Sequence, residues 1–255
     1  MYNVIFSEEI ITDRGIPVLI AAPEGVKNAP LALLNHGTGG DYNVMKEMAW
    51  RLAQNGCFAL SIDAVWHGKR WDEKLDIMRA DQAVYKGMYL EMLLLIAEDI
   101  SAIIDYYTGD ERVDTSRVGI TGTSQGGYVS FMTMTKEPRI TVAAPMIGSP
   151  DLTDKYGQSP DWDTIDPATQ KIVLEHSPLL HYEKMAHVKL LVQNGDADTI
   201  VPVTGTRRLD EKLKPLYADR PDDYRYIEFA GRGHETPDEM QEGVIAWLTE
   251  KLEAK

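Results

Sequence analysis

Short apolar runs of β type alternate with helical patterns along almost the whole chain. This alternation restricts the architecture more than any other feature of the sequence. Strands are expected at residues 17–22 (after a turn at Asp13-Arg14-Gly15), 31–35, 57–62, 118–121, 140–147, 188–192 and 226–229. Helices are expected at 44–54, 91–107 and 203–213, the second from apolar residues at Leu93, Ile96, Ile100, Ile103, Ile104 and Tyr107. A last helix carries a capping-box pattern, Thr236 with Glu239, and Pro237 at its first position. Strands separated by helices must lie mostly parallel, in a sheet covered on both faces. The class is therefore α/β, and residues 1–255 are expected to form one domain. Two stretches interrupt the alternation, at about 64–86 and 149–186, and are expected to be lid or cap insertions above the sheet.

Lys plus Arg number 26 and Asp plus Glu 40, a net charge of −14. So acidic a surface repels phosphate backbones and anionic bilayers, so neither nucleic acid nor membrane is expected as a partner. Cys57 stands alone, so no internal disulfide can form, and its run reads as a buried strand. The first residues have neither a basic segment nor a long apolar run, and the longest apolar run is 92–97. A cytoplasmic location is the expectation.

The segment Gly122-Thr123-Ser124-Gln125-Gly126 is Gly-x-Ser-x-Gly, placed between an apolar strand and a helix-like stretch. That is where a nucleophilic serine sits on a tight strand-to-helix turn, with small neighbours letting the backbone make it. Asp196 and Asp198 follow another strand, where an acid that orients a histidine belongs, and spacing alone does not choose between them. His234 stands in a glycine-flanked loop before the last helix, a position suited to a general base. Near the start, His36-Gly37-Thr38-Gly39-Gly40 follows a strand and exposes backbone N–H groups. Thr38, then Gly39, are candidate oxyanion donors, with the N–H of Gln125 as the second arm. His36 reads as a brace for that loop. Met78, Met88 and Met92 with Trp66, Trp71 and Trp162 suit either an acyl pocket or core packing. Asp63, His67, His36 and Asp41 lack the spacing of a metal site, and no metal is expected.

Together the His36-Gly37-Thr38-Gly39, Gly122–Tyr128, Gly195–Asp198 and Gly233-His234 segments resemble the α/β-hydrolase superfamily, over nearly the whole chain. The nearest likeness is to small esterases of the dienelactone-hydrolase and prolyl-oligopeptidase-like group. Residues 63–68, Asp-Ala-Val-Trp-His-Gly, resemble that group's loop after the fourth strand, so Trp66 and His67 are candidate substrate contacts. The resemblance implies an α/β-hydrolase fold, a Ser124–His234–Asp198 triad, no cofactor and a small-molecule ester substrate. It also chooses Asp198 over Asp196. The expected activity is a serine carboxylesterase for short- to medium-chain esters. Thioester, acyl-transfer or amide chemistry by the same triad, and a non-catalytic small-molecule-binding protein, are the alternatives.

Overall fold

The structure, a computed structural model, describes residues 1–11, 14–153 and 165–254. The strands are β1 (Val4–Ile11), β2 (Ile16–Pro23), β3 (Ala29–Asn35), β4 (Phe58–Ile62), β5 (Val113–Thr123), β6 (Ile140–Met146), β7 (Lys189–Gly195) and β8 (Tyr224–Phe229). The helices used below are α1 (Lys46–Gln54), α2 (Lys74–Ala80), α3 (Gln82–Tyr107), α4 (Gln125–Met134), α5 (Pro167–His176), α6 (Thr204–Leu213) and α7 (Asp238–Lys251). The strands form one sheet in the order β1-β2-β4-β3-β5-β6-β7-β8. β2 runs antiparallel to both β1 and β4, and every pairing from β4 to β8 is parallel. This is an α/β-hydrolase fold.

The apolar runs split by period two between the faces, as a doubly covered sheet demands. Leu31 and Leu33 of β3 face a core built with α3, α4 and α6. Ala32 and Leu34 face a second core built with α1 and α7. Each fully buried leucine stabilises the fold by roughly 1.5–3 kcal/mol. All six apolar positions that mark the α3 stripe, Leu93 to Tyr107, are buried. Cys57 is buried just before β4, and burial pushes its thiol up to about 12. Met78 and Met92 lie inside the first core together with Trp66, whereas Trp71 is exposed and Trp162 lies outside the described residues.

Several boundaries differ from the sequence expectation. α3 starts at Gln82, so the first excursion, 64–86, holds α2 and the first residues of α3. The helix expected from residue 44 begins as a 3₁₀ turn, Tyr42–Met45, capped by the Asp41 carboxylate, before α1. The capping box of Thr236 and Glu239 does not form. α7 begins one residue too late for it: extended Pro237 marks the boundary, and no side chain caps the first turn. Asp238 and Glu239 instead place negative charge at the positive end of the helix. Of the second excursion, 149–186, residues 154–164 lie outside the described residues. No described helix is long and apolar enough to cross a membrane.

Candidate active site

The parallel strands end along one edge of the sheet, and the residues singled out in the sequence follow those ends. Ser124 joins β5 to α4 with φ 56° and ψ −111°, a left-handed conformation that a residue with a Cβ adopts only under constraint. The constraint is close packing. A Cβ on Gly126 would fall on the carbonyl of Asn35 at the end of β3, so only glycine lets α4 approach this near. The Ser124 N–H donates to the Met146 carbonyl (3.0 Å), tying the turn to β6, and the Ser124 carbonyl accepts from Tyr128 N–H (3.0 Å), opening α4.

The Ser124 hydroxyl lies 2.9 Å from His234 Nε2. The other ring nitrogen, Nδ1, lies 2.7 Å from Asp198 Oδ2. Asp198 is buried, and its Oδ1 accepts the N–H groups of Ile200 (2.8 Å) and Val201 (2.9 Å). Those two bonds fix the carboxylate and leave Oδ2 for the ring, which donates from Nδ1 and keeps Nε2 as acceptor for the serine. Asp196 does something else. It is exposed, and its Oδ1 accepts Gly231 N–H (2.6 Å). With Ala197 N–H on the Arg232 carbonyl (3.0 Å), it fastens the acid-bearing turn to the histidine loop.

Beside Ser124 runs the His36–Gly40 loop. A Cβ on Gly37 would stand 3.6 Å from the Ser124 Cβ. Among the described residues the backbone N–H groups of Thr38, Gly39 and Gln125 have no protein acceptor, so they are free to donate to a substrate. The Thr38 hydroxyl donates to Gln125 Oε1 (2.8 Å), joining the loop after β3 to the first residue of α4. The sequence held no signal for that contact, because its partners lie 87 residues apart.

His36 braces the loop from beneath. Its Nε2 accepts Ala64 N–H (3.1 Å), so Nδ1 carries the proton and donates to the Gly37 carbonyl (2.8 Å). His67 packs against it, the ring centres 5.1 Å apart, and donates from Nδ1 to the Val65 carbonyl (2.8 Å). Its Nε2 is buried without a partner among the described residues. Burial lowers both imidazoles, His67 to about 4, and holds them uncharged. Trp66 is buried, with Lys74 over its ring. Asp63, at the end of β4, accepts N–H groups from Tyr42 (2.8 Å) and Lys69 (2.7 Å) and so anchors both neighbouring loops. Among the described residues no three metal-ligating side chains converge.

The sequence pattern of the prolyl oligopeptidase family matches residues 87–254, which includes Ser124, Asp198 and His234. The chain belongs to the prolyl oligopeptidase family. It is a serine hydrolase. Among its relatives, "Putative esterase YitV" of Bacillus subtilis is 26% identical over 250 residues, covering 93% of this chain and 96% of that one. "Esterase YjfP" of Escherichia coli is 24% identical, covering 80% and 84%. The fold is shared with TT1662 from Thermus thermophilus, with a TM-score of 0.80, 22% identity, and coverage of 99% of this chain and 100% of that one.

Proposed function

We propose that this serine hydrolase is a carboxylesterase acting on short- to medium-chain esters, with Ser124, His234 and Asp198 as its catalytic triad. The observation that carries the reading is the unbroken chain Ser124 Oγ–His234–Asp198, at 2.9 and 2.7 Å, beside unpaired backbone N–H groups. Ser124 Oγ attacks the ester carbonyl while His234 Nε2 takes its proton. The oxyanion of the tetrahedral intermediate accepts from the N–H groups of Thr38 and Gln125. Asp198 favours the charged imidazolium as it forms. His234 then protonates the departing alcohol, leaving an acyl-Ser124, and water activated by the same histidine releases the acid.

The first excursion, which we place over the strand ends, narrows the entrance and sets the size limit. The esterase names of the relatives favour esters over amides. The test is hydrolysis of p-nitrophenyl acetate, butyrate and octanoate by wild type and Ser124→Ala. Loss of a triad serine removes on the order of 10⁶ in kcat in a well-studied protease. Turnover by wild type that disappears in the variant is expected, with octanoate the poorest substrate. Equal rates for the two proteins would remove Ser124 as nucleophile.

A further inference from the structure

Arg79, in the last turn of α2, is a cation with no carboxylate partner among the described residues. Most guanidinium groups of this acidic chain are engaged: Arg14 and Arg70 hold Asp99 (2.7 and 2.5 Å), Arg139 holds Glu137 (2.7 Å) and Arg207 holds Glu228 (2.5 Å). Among the described residues no acid lies within ion-pair distance of Arg79. The acids of the two adjoining loops accept backbone N–H groups, Asp41 from Asn43 and Asp63 from Tyr42 and Lys69.

The position of Arg79 is specific. Its Nη1 stands 3.4 Å from where a Cβ of Gly39 would be. Gly39 has φ +84° and leaves that side of the loop open. Two residues back, Gly37 lies against Ser124. The guanidinium therefore overhangs the donor loop a few bonds from the place of the scissile carbonyl. The imidazoles beneath are neutral, His67 held so by burial first, with the charge of Arg79 acting in the same direction. Arg79 is thus the cation this wall offers to a ligand.

We propose that Arg79 is a specificity-determining residue that draws in esters bearing a carboxylate a few bonds from the scissile carbonyl, so that the enzyme favours half-esters of dicarboxylic acids over neutral esters of equal length. The inference rests on the esterase reading above. A guanidinium offers a carboxylate two parallel N–H donors, which supplies orientation as well as attraction. The net charge of −14 disfavours the approach of anionic substrates as a whole, so a local cation beside the nucleophile discriminates among them.

The test compares kcat/KM for 4-nitrophenyl hydrogen adipate and its methyl-capped analogue, and for 4-acetoxybenzoate and its methyl ester. The first pair carries the charge on the acyl arm, the second on the leaving group. Wild type is expected to favour the acid of one pair by about tenfold, the scale of a charge-assisted hydrogen bond at a wet site. The preference should shrink from 20 to 500 mM salt as screening shortens the reach of the charge. Arg79→Gln should abolish it, Arg79→Lys retain part, and Arg79→Glu reverse it. Phosphonate labelling of Ser124 in each variant checks that the site is assembled. Acid-to-ester ratios near one in wild type, or a ratio unmoved by Arg79→Gln, would overturn the proposal while turnover of the neutral esters left the esterase reading standing. If wild type hydrolyses none of the four, both readings fall.

Discussion

Thr38 combines a backbone N–H with no protein acceptor among the described residues and a hydroxyl that donates to Gln125 Oε1 at 2.8 Å. Two donors lower a barrier only if they point at one oxygen before the reaction starts, and this bond fixes the separation of the Thr38 and Gln125 backbones. Thr38→Val keeps the shape and the N–H but removes the hydroxyl. Loss of a whole oxyanion donor costs about 10²–10³ in kcat, so loss of the restraint alone should cost roughly tenfold, with KM little changed. Steady-state kinetics on p-nitrophenyl butyrate decides it. A raised KM at constant kcat would mean that the hydroxyl serves substrate binding instead. Ser124, His234 and the two candidate aspartates could be singled out as candidates because strand-end motifs are local. What separates Asp198 from Asp196 is long-range: one carboxylate reaches His234, and the other is held by Gly231.

At the scale of elements, the approach of α4 to β3 sets the elbow, and Gly126 sets the approach. Gly126→Ala forces a methyl group into the Asn35 carbonyl, so α4 must retreat and take Ser124 with it. Overpacking of this kind costs about 1–3 kcal/mol, and activity should fall further than stability does. Gly87, an exposed residue of α3 with open space around it, is the matching control. Gly87→Ala should stabilise by about 0.5–1 kcal/mol through helix propensity. Thermal melts and butyrate kinetics on both variants check the pair, and equal melting shifts would refute the close-packing account. The same scale shows what sequence reading reaches. The buried strands β3 to β7 announce themselves as apolar runs. β1 does not, because its Ile5 and Ile10 are exposed at the sheet edge and follow no buried alternation. The start of α3 and all of α2 were hidden for a related reason: neither has a clean apolar stripe in the sequence. The antiparallel pairing of β2 with β4 is a matter of topology, which strand composition does not encode.

Across the whole molecule, two buried neutral histidines beneath the donor loop couple the site to the acid stability of the fold. His67 is 1% exposed, and its imidazole is lowered from the usual 6.5 to about 4, chiefly by burial. His36 moves in the same direction for the same reason. Above pH 6.5 the ring is neutral both folded and unfolded, and contributes no pH dependence. Between pH 6.5 and about 4 the unfolded chain binds a proton that the folded one refuses, so stability falls as pH falls through that window. For His67 alone the linkage amounts to about 2 kcal/mol at pH 5. Glu137 acts lower. Its hydrogen bonds to Arg139 depress it from 4.5 to about 2, so that pair stabilises above pH 4.5 and is lost as pH falls toward 2. The two windows separate the two causes. Urea denaturation of wild type and His67→Asn at pH 7.5 and 5.0 is the measurement, because asparagine can keep a donor for the Val65 carbonyl but does not titrate. Wild type should lose about 2 kcal/mol more than the variant between those pH values. Equal losses in the two proteins would show that His67 is not held neutral in the folded state.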